Sequence, residues 1–544
     1  MKSIKREWLI YIGIIVLQIL VFVYWANHKV NYHVDELYSM GYASNFTGYG
    51  NTGQYITSDN TEFELNKWIK CETLKAHLIV SPEESILNLP FPEILYRVGT
   101  ARNYIMLLNL AETLAGYGRV SAVPSLALNM CIYIIACFSL ISLMIKLKIN
   151  EYIRYMAIAM FGFSAYIIST VLYVRFYMLV IMLMLVMLNV LYQLWIADSW
   201  NKVIGYEMTA LVLCFLCYKN SEITIPFFGA FMGFLLIAAI YRRKIKQLLL
   251  NMGVFVIGSV FVLIQPKYRE ILFNWQDYVK SSSVYVAASA SLTNPNINTI
   301  RLYTGWLIGV FKTQFFSDRY MIYYVLLVLI AVALMIFKEK PQITKVRLSD
   351  DVIYILIVLG EAIVLALFEI LCEFGIWRYY CFVVTSACIL FWFLIDRILK
   401  IACIQKYNRV LVAALAVFVF INALIPFASR RIENIYEEEK PFMENIRKYT
   451  GSDVVLITSS DGDNISRHEI YDCVNLVPGD RNIYFTDAIG FNTDKMDCPD
   501  EIMIWTHADR NIESVLEDMS VHGYDTLELG QDHCSKAYLC RLSQ

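Results

Sequence analysis

Eleven apolar runs, most of them about twenty residues long, separated by loops that are basic in alternation, constrain this chain more than any other feature it has. The hydrocarbon core of a bilayer is about 30 Å thick, and a helix needs about 20 apolar residues to cross it. The runs lie at about 9–27, 121–145, 155–173, 176–196, 206–218, 223–240, 248–265, 320–337, 351–371, 379–398 and 410–427, the one at 206–218 being short. The pattern predicts an α-helical multi-pass membrane bundle of about 11 spans. Composition agrees: 58% of residues are hydrophobic and 17% charged, against about 25% charged in soluble domains. That excludes a disordered chain and an ordinary soluble enzyme. The first run is too long for a signal peptide and has no small-residue cleavage site, which predicts a retained anchor.

Lys and Arg in short loops set orientation. Lys2, Lys5 and Arg6 precede the first span, which puts the N-terminus in the cytoplasm. Alternate loops then carry Lys146 and Lys148, Lys202, Arg242 to Lys246, Lys338 to Arg347, and Arg397 to Arg409. The register places the C-terminus outside, as expected of an integral plasma-membrane protein with an extracytoplasmic tail. The formal charge of −2 gives no reason to expect nucleic acid as a partner.

Residues 1–428 read as the membrane bundle and 429–544 as a separate outer α/β domain. The first outer loop, 28–103, is long and polar; Phe63, Leu65, Trp68 and Ile69 in it read as one face of a membrane-surface helix. The segment 104–117 reads as a helix on or in the outer leaflet, interrupted by Asn109 and Glu112. A further outer piece spans about 266–319. In the tail, SDVVLITSS (452–460), NIYFTDA, EIMIWTHA and AYLCRL read as strands, and NIESVLEDMSVHG as a helix ending at Gly523. The tail lacks GxGxxG and GxxxxGK, so it shows no nucleotide fingerprint. The thirteen Cys form no CxxC pair and imply neither a zinc ribbon nor a disulfide scaffold.

Charge sits at outer span ends where a short apolar turn would cost less. Asp35 and Glu36 follow the first span; Arg175 interrupts LYVRFYML; Lys219 and Glu222 lie in YKNSEI; Glu373 and Arg378 lie in CEFGIWRYY. The arrangement suggests a polar chamber holding acid and base. There a carboxylate can take a proton from an acceptor hydroxyl or amine while cations hold a phosphate leaving group. Arg suits phosphate because its planar fork binds two oxygens. If space between spans admits a lipid tail from the side, the expected substrate is a polyprenyl-phosphate-linked sugar. The structural readings stand beside these roles: Arg175 as an interface anchor, Lys219 and Glu222 as a mutual pair, and Arg378 as part of an aromatic belt.

HVDELYSMGYASN, VRFYML and WRYY resemble motifs of the integral-membrane glycosyltransferases of the C superfamily. The nearest look is to bacterial members related to glycosyltransferase family 39, the protein O-mannosyltransferases and the lipid A aminoarabinose transferases. The resemblance covers about 1–400 and implies that Asp35 is the acidic general base or a metal-neighbouring carboxylate, with Glu36 its companion. It implies that Arg175 and Tyr177 lie near the donor and that Arg378 contacts the donor phosphate. Where many relatives carry His-Pro-Pro-Leu-Tyr-Tyr, this chain has VGTARNYIMLLN, so that Arg102, Asn103 and Tyr104 stand in its place and Arg102 joins the candidate phosphate contacts. No second acidic ligand is evident in the departing stretch, and a divalent cation stays a candidate cofactor of the resemblance.

The expectation is transfer of a sugar, with inversion, from a polyprenyl-phosphate donor to a cell-envelope glycan, lipid or protein at the outer membrane face. Two rivals stand beside it. Glu361, in the middle of VLGEAIVL, supports a transporter or lipid flippase. The missing His-Pro-Pro stretch supports a catalytically inactive membrane scaffold.

Overall fold

The computed structural model describes residues 2–44, 66–94, 102–116, 121–246 apart from 222, 297–316, 349–372, 376–401, 408–449, 451–458, 473–496 and 499–543, with a few residues between 248 and 260. In chain order the principal helices are α1 (Lys2–His28), α2 (Val34–Ser44), α3 (Asn103–Ala115), α4 (Val123–Lys146), α5 (Glu151–Phe163), α6 (Ala165–Leu172), α7 (Tyr177–Ile196) and α8 (Trp200–Tyr218). They continue with α9 (Thr224–Tyr241), α10 (Ile297–Val310), α11 (Asp350–Leu371), α12 (Cys381–Ile401), α13 (Asn408–Ser429), α14 (Lys440–Lys448) and α15 (Glu513–Val521).

Among the described residues, eight helices are long and apolar enough to cross a membrane, or nine if the pair α5–α6 counts as one span bent by 51°. Nine of the eleven expected spans fall on these helices; that at 320–337 lies outside the described residues, and that at 248–265 does so but for a few residues. The bend in the third span has a local cause. Ser164 leaves the helical region (φ −66°, ψ 142°), and its hydroxyl donates to the Phe161 carbonyl at 2.8 Å.

The chain divides into two compact units. The first comprises residues 1–22, 130–171 and 177–432. It is a helical bundle whose largest buried side chains include Trp195, Trp392, Tyr166 and Tyr354. Gly360 on α11 sits where a Cβ would come within 2.7 Å of the Phe234 ring, so a larger residue there would push that ring on α9 aside. Ion pairs tie the helix ends together: Asp351 accepts from the Tyr192 hydroxyl at 2.7 Å and from Lys148 at 3.2 Å, and Asp396 accepts from the Asn150 N–H at 2.9 Å and from Lys400 at 2.7 Å.

The second unit comprises residues 23–129, 172–176 and 433–544. Its sheet has six strands in the order β1-β3-β2-β4-β6-β5, with β1 Trp68–Lys70, β2 Asp453–Thr458, β3 Asn482–Asp487, β4 Glu501–His507, β5 Tyr524–Gln531 and β6 Ser535–Leu542. The central three strands are parallel and buried through their middles, as unbroken apolar runs such as VVLI and IMIW require. Val515 and Met519 of α15 pack with Val455, Ile457, Ile502 and Ile504, while Phe442 of α14 meets Trp505 at 5.7 Å between ring centroids. Gly523, at φ +83°, ends the turn after α15.

One expectation is corrected. Trp68 and Ile69 do not lie on a membrane-surface helix but in β1, paired antiparallel to β3 with Trp68 opposite Tyr484. The Trp68 indole donates to the Met496 carbonyl at 2.9 Å. The sheet offers unpaired N–H and C=O groups along β3, and pairing with them outweighs local apolar spacing. Phe63 and Leu65 lie outside the described residues.

Candidate functional site

The site grows from the start of α2. His33 caps that helix: its Nδ1 accepts from the Asp35 N–H at 3.0 Å, and Glu36 reaches back to accept from the His33 N–H at 2.8 Å. This is the reciprocal arrangement of a capping box, with histidine in the usual Ser or Thr place. It puts Asp35 and Glu36 in the first helical turn, where the helix dipole favours negative charge.

Glu36 is fully buried and saturated. Besides the His33 N–H it accepts from Lys29 Nζ at 2.9 Å and from the Val174 N–H at 2.8 Å. Lys29 is 3% exposed in its side chain and also donates to the Asn434 carbonyl at 2.6 Å. A buried carboxylate needs such partners to stay charged.

Asp35 is more open, its side chain 21% exposed. Its Oδ1 accepts from Arg175 Nη2 at 3.2 Å and its Oδ2 from the Tyr173 hydroxyl at 2.9 Å. Arg175 also donates to Ser39 Oγ at 3.3 Å and lies 5.7 Å from the centre of the Phe176 ring. The guanidinium of Arg102 lies 5.1 Å from the same ring. Four of the residues singled out by sequence, Asp35, Glu36, Arg102 and Arg175, are thus gathered in the second unit.

The others lie elsewhere. Tyr177, Lys219 and Arg378 belong to the first unit. There Arg378 is buried, 5.7 Å from the Tyr379 ring centre, and Tyr379 in turn lies 6.2 Å from Tyr177. Lys219 lies 5.8 Å from the Phe215 ring centre. Glu222 and Glu373 fall outside the described residues.

Several site residues were not singled out by sequence. Lys29 sits in the polar stretch NHKVN and Tyr173 in the apolar TVLYV, and neither gives a sign of its pairing. Asn129 fixes the far side by accepting from Tyr104 at 3.2 Å and donating to the Tyr173 carbonyl at 2.8 Å. Glu112 on α3 is most of the way buried, and Ser125 Oγ, at 2.9 Å, is its one donor among the described residues. Burial pushes its carboxyl up to about 7. Burial, and after it the charges of Glu36 and Glu112, push the Tyr32 and Tyr104 hydroxyls up. A sequence signal existed for Glu112, a lone acid in an apolar helix.

The tail holds the approach to α2. The Val30 N–H donates to the Ile435 carbonyl at 2.8 Å. The Asn31 amide donates to Glu439 at 3.0 Å and Asp532 at 3.3 Å. His533 bonds Glu439 at 2.7 Å through Nδ1, stacks on Tyr436 at 4.4 Å and faces His33 at 5.8 Å. Burial alone would push the His533 imidazole down; bonds to Cys534 and Glu439 outweigh it and raise it to about 11. Desolvation pushes the Asp532 carboxyl up.

Glu439, Asp532 and His533 bring potential metal-ligand atoms within 4.8 Å of one another. Their lone pairs are already engaged by donors: Glu439 by His533 and Asn31, and Asp532 by Asn31 and the N–H groups of Cys534 and Ser535. At Asp35 and Glu36 the counter-charges are Arg175 and Lys29. As arranged, neither place fits a divalent cation, and no step is derived through one.

No family model matches the chain, and no curated protein matches it. Among solved structures it is similar to ArnT from Cupriavidus metallidurans bound to undecaprenyl phosphate, at 11% identity over 97% of this chain and 97% of that one, with a TM-score of 0.49. The apo state of the same protein aligns at 10% identity over 97% of this chain and 98% of that one, with a TM-score of 0.37.

Proposed function

We propose that the chain is an integral plasma-membrane glycosyltransferase. It moves a sugar from a polyprenyl-phosphate donor to a glycan, lipid or protein of the cell envelope at the outer face, where the tail also lies. The observation that carries this reading is the half-open Asp35, held at 3.2 Å from Arg175 and 2.9 Å from Tyr173 on a helix start anchored by buried Glu36.

The donor's phosphate draws the Arg175 guanidinium away from Asp35, with Arg102 beside the same Phe176 ring as a second cation. Asp35, relieved of its counter-charge, becomes the stronger base. It takes the proton of the acceptor hydroxyl or amine as that atom bonds to the anomeric carbon. The bond from that carbon to the phosphate oxygen breaks, and its electron pair leaves on the polyprenyl phosphate. One displacement inverts the anomeric centre. Glu36 does not react; it fixes the turn on which Asp35 sits. Tyr177 and Arg378 are assigned to the donor by resemblance, and Lys219, Glu222 and Glu373 stay as further positions for mutation.

The test is Asp35→Asn in membranes supplied with labelled lipid-linked sugar. Transfer falls about 10²–10⁴-fold, the span of general-base contributions, while polyprenyl-phosphate binding persists. Full retained transfer overturns the assignment. A second reading, a lipid transporter, draws on two acids of α11: Glu361, fully buried with the Ser386 hydroxyl at 2.9 Å, and Glu369, fully buried with no partner for either oxygen among the described residues. Counterflow of lipid in proteoliposomes, lost in Glu361→Gln and kept in Asp35→Asn, selects that reading.

A further inference from the structure

A groove of about 440 Å³ runs between α4, α7 and α8, all its walls within the first unit. Ile135, Phe138 and Val186 line one end, and Lys146, Asn189 and Gln193 line the other. The volume falls in the range of small-molecule sites, roughly 300–1,000 Å³. Ile135 and Lys146 are eleven residues apart on one helix, which at 1.5 Å per residue is about 16 Å. That is about half the thickness of the hydrocarbon core. The groove therefore extends from the end of a span to the bilayer midplane, the depth of one leaflet.

Its polar end is built rather than incidental. The Asn189 amide donates to the carbonyls of Ser139 at 2.7 Å and Leu185 at 2.9 Å, so its Oδ1 is fixed outward and accepts from Lys146 Nζ at 2.9 Å. An ammonium has three N–H donors, and Lys146 has no carboxylate partner among the described residues. This sets it apart from its neighbours, since Lys148 and Lys400 meet Asp351 and Asp396. An exposed apolar wall, Ile135 at 49% and Phe138 at 40%, leads up to this cation.

We infer that the groove binds an anionic glycerophospholipid, its phosphate on Lys146 and Gln193 and one acyl chain along Ile135, Phe138 and Val186. Alternating loop charge puts this end of α4 in the cytoplasmic leaflet, the face where basic pockets between spans hold acidic headgroups. The site does not depend on the proposed reaction.

The test is native mass spectrometry of the full chain in micelles doped with equal dioleoyl phosphatidylglycerol and dioleoyl phosphatidylcholine. Wild type retains phosphatidylglycerol preferentially. Lys146→Ala lowers that retention about tenfold, the effect of removing one charge-assisted hydrogen bond, and Lys146→Arg keeps it. Ser142→Phe, which fills the middle of the groove beside the cation while keeping its charge, also expels the lipid. Lys202→Ala, an exposed cation at the same end, leaves retention unchanged. Equal retention of the two lipids by wild type overturns the proposal. So does retention unchanged in both Lys146→Ala and Ser142→Phe, or an equal loss in Lys202→Ala.

Discussion

Glu36, fully buried, and Glu112, half-buried, are carboxylates in the same unit, treated in opposite ways. Glu36 has an ammonium and two backbone N–H groups on its oxygens; Glu112 has one hydroxyl. The first is held immobile by three donors. The second is left poorly solvated, and its proton affinity rises to about 7. Donor count separates the two: three donors hold an acid in place, while one leaves Glu112 to exchange a proton near neutral pH. Asp35 stands between the two, paired on both oxygens yet open to solvent, which suits a base that is uncovered when its cation turns to a substrate.

Removing Glu36 is the strongest way to break this contrast. Glu36→Ala leaves the Lys29 ammonium buried without its counter-charge and orphans two N–H groups. Breaking a buried pair in this way costs about 3–5 kcal/mol. Thermal unfolding in detergent should show the loss in full, and Lys29→Met added to Glu36→Ala should recover much of it. If Glu36→Ala unfolds like wild type, the donors around Glu36 do not hold the helix start.

Glu112 gives the next effect, and its sign is fixed by its carboxyl being raised from 4.5 to about 7. Between those values the folded protein holds a proton that the unfolded chain has released. Stability therefore falls as pH rises through that window, by about 3 kcal/mol in total, and is flat above it. Glu112→Gln keeps an acceptor for Ser125 and removes the titration. Midpoints of unfolding measured from pH 5 to 8 should descend more steeply in wild type than in Glu112→Gln. Parallel curves would place Glu112 with Glu36 after all.

The sequence made the spans legible because twenty apolar residues have few other uses in a chain, and it made the acid pair legible because two carboxylates just past a span need an explanation. It also exposed Arg175, a cation between two apolar runs. What it could not show was that Arg175 reaches Asp35 across 140 residues, or that Lys29 turns inward to Glu36. Both depend on tertiary pairing that leaves no local pattern. β5 escaped notice for a related reason: its middle residues, Asp525 to Glu528, are exposed and do not alternate, and it is a strand because β6 offers its ladder. β1 was misread because three residues become a strand only when β3 is there to pair with them. Strands β2, β3, β4 and β6 were readable because buried apolar runs report their own burial.

A smaller and sharper test lies at Glu439, which resembles Glu36 with histidine in the place of lysine. The carboxylate is buried, and its Oε1 accepts from both the N–H and the ring of His533. His533→Gln removes the cation and leaves the backbone donor and Asn31. The variant is less stable than wild type, because it loses the charge-assisted bond to Glu439. Its pH dependence runs in a known direction. The imidazole is raised from 6.5 to about 11, so its contribution is complete below pH 6.5 and is lost as pH climbs toward 11. The gap in unfolding midpoint between wild type and His533→Gln should therefore be widest at pH 6 and should narrow at pH 10. A gap that is constant with pH would mean that packing against Tyr436 and His33, rather than charge, is what His533 supplies. The rule that separates Glu36 from Glu112 would then not extend to the tail.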